Sequence, residues 1–254
     1  EKEGFAVTYV KPRTIGELDP QVVLDDIDGP TIRVSIMHVN KETGAVFPVK
    51  AAVDAIRVKQ SPALLKTDMV QSYGKLAVTR KRLGADLATV SGHKVHAPKG
   101  VGALYVRKGV RLQQRVFGGT QEKNIRSGTE GLPLIGAFAE AVRCLRVSGH
   151  TIGPIEALNR YLREGLLKIP GTAVHSPDDA IPYVLGFSAG RVKAQTMLNF
   201  LSERGVYVSS GSACDKGKQS HVLESMGLSR AQMDSALRVS FSHFSTKEDV
   251  DALL

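Results

Sequence analysis

The sequence predicts an α/β protein with a larger first domain on a mainly parallel sheet and a smaller α+β domain after it. Two observations carry this. In the first half, short runs of β-branched and large apolar residues alternate with helix-length segments, the pattern of strands joined by crossover helices. Beyond a polar, glycine-containing stretch from Phe117 to Glu130 the texture changes: two long amphipathic patterns lead into shorter strand-like runs. The boundary is expected near Leu132, which gives domains over residues 1–132 and 133–254.

Taken in order, Phe5 to Val10 and Ile32 to Met37 read as strands. Pro48 is placed to open a helix whose apolar face uses Val49, Ala52, Val53 and Ile56. Ala63 to Leu65 and Leu87 to Val90 read as strands that end in polar clusters, and Val101 to Val106 as another. One helix follows with Leu134, Ile135, Phe138 and Val142 at helical spacing, then a second with Ile155, Leu158, Leu162 and Leu166. In the last third, Tyr183 to Phe187, Val206 to Val208 and Leu237 to Phe241 read as strands. Helical patterns cover Lys193 to Arg204 and Ser220 to Met226, and a final helix is expected to open at Ser245 or Thr246. No internal repeat is visible.

Composition narrows the function classes. Apolar residues make up 42% and charged residues 23%, ordinary for a globular protein, and no apolar run is long enough to cross a bilayer. Cys144 and Cys214 are too few for a disulfide framework, which suits a reducing compartment. The opening residues, EKEGFAVTYV, lack the pattern of a secretory signal, so a cytoplasmic location is expected. The net charge of +9 is scattered. Its densest cluster, Thr79-Arg80-Lys81-Arg82, has no interleaved aromatics on which bases could stack, so no nucleic-acid partner is expected.

Chemistry concentrates where strands end. In open α/β sheets, ligands bind beyond the carboxyl ends of the strands. The strand at Leu87 runs into Ser91-Gly92-His93-Lys94, and the strand at Leu65 runs into Asp68, with Gln71 three residues on. A lysine and an aspartate at neighbouring strand ends suit pyridoxal 5'-phosphate (PLP): the lysine forms a Schiff base and the carboxylate keeps the pyridine nitrogen protonated. Ser91 and His93 are then placed to donate to the phosphate. Taken singly, Lys94 also reads as a surface lysine and Asp68 as a helix N-cap.

Four stretches, in order, resemble one family. They are VSIMHVNKETGAVFPV (Val34 to Val49), SGHKVHAPKGVGALYVR (Ser91 to Arg107), FGGTQEKNIRSGTE (Phe117 to Glu130) and VSSGSACDKGKQSHVLESMG (Val208 to Gly227). Together they resemble the cysteine desulfurases, a class-V group within the aspartate-aminotransferase-like PLP enzymes, almost from end to end. The resemblance implies PLP as cofactor, with Lys94 as the Schiff-base lysine and Asp68 as partner of the pyridinium nitrogen. Gln71 would reach the ring's phenolic oxygen, and Ser91 and His93 the phosphate. Thr129 matches a threonine that reaches the phosphate in the other subunit's site, implying a homodimer. Arg238 matches the arginine that binds the substrate carboxylate, a task suited to a bidentate guanidinium. The ring-contacting asparagine of the family falls on Lys41 here, with Asn40 beside it as the remaining candidate for that contact.

Cys214 falls at the family's nucleophile. Its setting supports this independently: Ser209 to Ser212 and Asp215 to Lys218 make a polar loop, and a packing cysteine keeps apolar company. The neighbouring lysines favour the thiolate. Cys144, inside a helical pattern, reads as structural. The resemblance thus implies conversion of L-cysteine to L-alanine, with a persulfide left on Cys214 for an iron–sulfur scaffold or a tRNA-thiolation protein. No resident metal is expected. The alternatives are a related PLP lyase or aminotransferase acting on another amino acid, and a catalytically silent relative that acts as a binding partner. Family members carry a phosphate-binding Gly/Thr loop and a ring-stacking histidine ahead of anything aligned here. The sequence is therefore expected to cover part of a longer protein, with its first domain incomplete at the N-terminus, or to be a reduced family member.

Overall fold

Two four-stranded sheets organise the chain. The structure, a computed structural model, describes residues 4–12, 16–147, 152–210 and 220–254. The first sheet has the order β1 (Arg33–Met37), β2 (Leu64–Asp68), β3 (Leu87–Ser91) and β4 (Gly102–Val106). β1, β2 and β3 run parallel, and β4 returns antiparallel along β3. Parallel neighbours need a crossover, and α2 (Val49–Val58) supplies it between β1 and β2, after the short α1 (Pro20–Asp25) ahead of the sheet. Pro48 stands at the N-cap of α2, and Val49, Ala52, Val53, Ala55 and Ile56 are buried in one core with Leu65 of β2 and Met69. The short α3 (Arg80–Leu83) lies in the second crossover.

The expected first strand is absent: Phe5 to Val10 form no strand and Tyr9 is 76% exposed. Alternating apolar side chains favour extended backbone, but a strand also needs a neighbour to satisfy its N–H and C=O groups, and none of the described strands pairs with this one.

The kinked turn α4 (Gln121–Asn124) leads to the long helices α5 (Leu132–Val147) and α6 (Gly153–Leu167). The second sheet is antiparallel throughout, in the order β5 (Thr172–Val174), β6 (Val184–Ala189), β8 (Ala236–Ser240) and β7 (Ser209–Ser210). Leu162 and Leu166 of α6 are buried against Leu185, Phe187 and Leu237 in a second core, where burying each large aliphatic chain is worth roughly 1.5–3 kcal/mol. The chain continues through α7 (Ala194–Ser202), α8 (His221–Ser225), α9 (Arg230–Asp234) and α10 (Lys247–Leu253). Thr246 opens α10 with a capping box, its side chain accepting from the Asp249 amide. The strand expected at Val206 to Val208 forms instead at Ser209–Ser210, the residues that reach the edge of β8. Thr172–Val174 and Arg230–Asp234 carry too short a pattern to be read from sequence.

The loop from Asn40 to Ala45 joins the two halves. Its Gly44 carbonyl accepts from the Ile181 amide at 2.9 Å, and Nη1 of Arg238 on β8 donates to the Lys41 carbonyl at 3.2 Å. Buried Glu42 accepts from the Ser220 hydroxyl at 2.5 Å. Gly44 has φ +76°, and a Cβ there would lie 3.2 Å from the carbonyl oxygens of Ile181 and Val184, so only glycine lets the loop lie this close.

Candidate active site

The site grows from the carboxyl ends of the three parallel strands. Asp68 ends β2 and stands in register with Met37 of β1 and Thr89 of β3. One of its carboxylate oxygens accepts from the Val70 amide at 2.9 Å, and the other lies 3.9 Å from Lys66 Nζ, which orients the carboxylate at the strand end. The chain then makes a helical turn, the Tyr73 amide donating to the Met69 carbonyl at 2.8 Å, and this turn carries Gln71 and Lys75. β3 ends at Ser91, whose hydroxyl is hydrogen-bonded to His93 Nδ1 at 2.8 Å, and the tight turn Gly92–Val95 presents Lys94. Gly74, at φ +75°, lets the Lys75 turn pack on Lys94's turn: a Cβ there would lie 3.0 Å from Val95 and from Leu145 of α5.

Lys94 and Lys75 line one small cavity of about 70 Å³ with Tyr183, Phe241 and His243. None of the described residues lining it is acidic. Burial, with the charges of Lys94 and Arg238, pushes the Lys75 ammonium down to about 8. A second, larger cavity of about 580 Å³ adjoins it, sharing Val95, His96, Leu145 and His243 and adding Cys144, Glu140 and Phe244.

The other candidates sit on other elements. Asn40 is buried, and its side-chain oxygen accepts from the amides of Glu42 and Thr43 at 2.8 and 3.1 Å, so the group is spent on shaping its own loop. Arg238 on β8 is half-buried, one edge of its guanidinium held by the Lys41 carbonyl and the Ser209 hydroxyl. Thr129 is exposed, after Gly128, whose amide donates to Gln121 Oε1 at 3.0 Å. Cys214 lies outside the described residues. Cys144 is not packed in a core: it is exposed on α5, and its thiol donates to Glu140 Oε1 at 3.3 Å, which pushes its pKa up. Helical spacing predicts a position on a helix but does not say which face is covered.

Two residues escaped the sequence reading. Lys75 stands four residues after Gln71 on the same turn, and that spacing was its only trace. His38 follows β1 and is 4% exposed; burial pushes its pKa down, and its Nδ1 has no hydrogen-bond partner among the described residues.

Family comparison places this geometry. The aminotransferase class-V family matches residues 1–253. The chain belongs to that family. It is 36% identical over 258 residues to cysteine desulfurase 2 of Trichormus variabilis, covering 100% of this chain and 64% of that protein. Among solved structures it resembles a NifS-like protein at 33% identity and TM-score 0.90, over 99% of this chain and 67% of the other. It also resembles SspA in complex with cysteine, at 32% identity and TM-score 0.78, over 94% and 67%. This class-V chain is thus closely related to cysteine desulfurases, and it spans about 64% of the length of the first curated relatives it matches. Class-V enzymes use PLP, and the residues present fit it. A lysine and an oriented carboxylate stand at the ends of adjacent parallel strands, beside a cavity lined by two lysines and, among the described residues, by no acid, which suits an anionic cofactor. No helix of the described residues is long and apolar enough to cross a membrane.

Proposed function

We propose that the chain carries active-site residues of a cysteine desulfurase, which converts L-cysteine to L-alanine and leaves sulfur as a persulfide on Cys214. The observation that carries the proposal is the placement of Lys94 and Asp68 at the ends of β3 and β2, in a chain related over its whole length to cysteine desulfurases. Lys94 would bear the cofactor, and Asp68 would hold a proton on its ring nitrogen. Gln71, on the turn beside them, would serve its phenolic oxygen, and Ser91 with His93 its phosphate. When bound, PLP supplies an electron sink for the substrate's α-carbon.

The residues divide the remaining work. The guanidinium of Arg238, whose Nη1 donates to the Lys41 carbonyl and Nη2 to the Ser209 hydroxyl, would bind the cysteine carboxylate. The Lys94 amine takes the α-proton on Nζ. The Cys214 thiolate attacks the substrate sulfur, so that an S–S bond forms and the C–S bond breaks. The released electron pair goes to the substrate carbon, which takes up a proton and leaves as alanine. Asn40 would contact the cofactor ring, and its loop carries the Lys41 carbonyl that holds Arg238. The same reading makes the protein a homodimer in the cytoplasm, with Thr129 reaching its partner's cofactor phosphate. The sulfur would pass to an iron–sulfur scaffold or a tRNA-thiolation protein.

The test is to load the protein with PLP, add L-cysteine and a thiol reductant, and measure both products. Alanine and sulfide in equal amounts are expected. Alanine without sulfide, or no visible cofactor band at all, would contradict the proposal.

A further inference from the structure

Thr129 follows Gly128 in the chain, and Gly128 is gripped from two sides. Its amide donates to Gln121 Oε1 at 3.0 Å, and its carbonyl accepts from Arg126 Nη1 at 3.3 Å. Gly128 stands at φ +110°, and a Cβ there would lie 3.1 Å from that guanidinium nitrogen. Gln121 is half-buried, although residues 115–120 before it and 122–124 after it are exposed. Its amide group folds back over Gly119, where a Cβ would collide with Oε1, so the absent side chain of Gly119 makes the room.

Between Gln121 and Gly128 the backbone takes a course that L residues avoid. Glu122, Lys123 and Asn124 follow one another at φ +48°, +56° and +63°. Such a run persists only where its surroundings hold it. At its base the chain closes on Val116, whose carbonyl accepts from the Ser127 hydroxyl at 2.9 Å and from the Ser127 amide at 3.3 Å. Ser127 is 6% exposed, so burial fixes that point. Gly128 and Thr129 lie beyond it and are exposed. The Arg126 contact is short-range and comes from an exposed, flexible side chain, whereas Gln121 reaches across seven positions and spans the turn itself.

We propose that Gln121 is a positioning residue: its side-chain oxygen, by accepting from the Gly128 amide across the left-handed turn, sets the direction in which Thr129 leaves the protein surface. The purpose rests on the proposed task of Thr129 at its partner's cofactor phosphate. A hydroxyl donates well to a phosphate only within a narrow range of distance and angle. A threonine carried by an unrestrained glycine has many directions open to it, and all but one would be given up when the phosphate is met. With Gly128 held, that ordering precedes the cofactor. Gln121 itself touches neither cofactor nor substrate in this account.

The hold is read in the full chain free of cofactor, by hydrogen exchange at the Gly128 amide. Gln121→Met keeps the length of the side chain and removes the acceptor, and exchange at Gly128 should quicken about fivefold or more. Gln121→Glu keeps an acceptor oxygen and should stay within about twofold of the parent. Gly119→Ala fills the space under the Gln121 amide and should quicken the exchange with Gln121 still present. Equal exchange in the parent and the methionine variant, or a glutamate variant as fast as the methionine one, would overturn the proposal. The consequence for the site is read from the PLP dissociation constant by absorbance titration. Thr129→Val should weaken binding about tenfold and Gln121→Met about threefold. The double variant should bind no more weakly than Thr129→Val alone, because both act through one contact. A double variant weakened by the full product of the two would place the effect of Gln121 elsewhere and overturn the proposal. Thr129→Val binding PLP as the parent does would overturn the reading of Thr129, while the exchange measurement still decides the hold on Gly128, so the two can fail separately.

Discussion

The two cysteines separate by environment. Cys144 donates to Glu140, itself tied to Arg143 by two hydrogen bonds of 2.7 and 2.6 Å, and this arrangement disfavours the thiolate. Cys144→Ser should therefore leave alanine release within about twofold of the parent, while Cys214→Ser abolishes sulfur transfer and keeps the cofactor band. An inactive Cys144 variant alongside an active Cys214 variant would reverse the assignment. Arg238→Lys replaces a planar fork by a point charge. KM for cysteine should rise about tenfold or more, since losing one charge-assisted hydrogen bond costs about 1.5–3 kcal/mol; an unchanged KM would remove Arg238 from the substrate. The placement of Lys94, Asp68 and Gln71 beyond strand ends was legible because each sits beside its strand in sequence. The burial of Lys75 was not, because it comes from Tyr183 and Arg238, which only folding brings near it. The turn role of Asn40 had no separate signal, since an asparagine in a tight loop can bind its own backbone through its oxygen as well as a ligand.

Elements were legible where a long period repeats and obscure where pairing decides. α2, α5 and α6 follow from apolar spacing, and β1 to β4 from β-branched runs next to polar ends. The antiparallel return of β4 has no local signal, and Phe5 to Val10 have a strand pattern with no partner among the described strands. His175, directly after β5, gives an element-scale prediction. It is 7% exposed, and its Nε2 lies 2.5 Å from Ser188 Oγ on β6, while that hydroxyl donates to the Gln232 carbonyl at 2.6 Å. The serine proton is thus engaged, and His175 donates from Nε2 as a neutral ring. Burial pushes its pKa down from 6.5 to about 4. Between these values the unfolded chain binds more protons than the folded one, so stability is full above about pH 6.5 and is lost as pH falls through 4. The loss is about 3 kcal/mol. Urea unfolding at pH 7 and pH 4.5 should show it, and His175→Gln should flatten the dependence; an unchanged slope in that variant would place the acid lability elsewhere.

At the scale of the whole molecule, the two sheets meet along the Asn40 to Ala45 loop, which holds Arg238 from one half over the strand ends of the other. Under the proposed function, the residue for the substrate carboxylate and the one for the cofactor would come from different halves, and the geometry of the site would depend on that joint. Exposed Thr129 has its proposed task in a second subunit, and sedimentation should give a dimer; a monomer that still turns over cysteine would leave Thr129 without that role. The central claim is that sulfur leaves cysteine for a cysteine of this chain, while Lys94 holds the cofactor. It is tested most directly by adding L-cysteine to the PLP-loaded protein without reductant, alkylating, and mapping the peptides by mass. The account predicts one added sulfur atom on the Cys214 peptide with an equal amount of alanine released. Alanine release with an unmodified Cys214 peptide, or the added sulfur on Cys144, would contradict it.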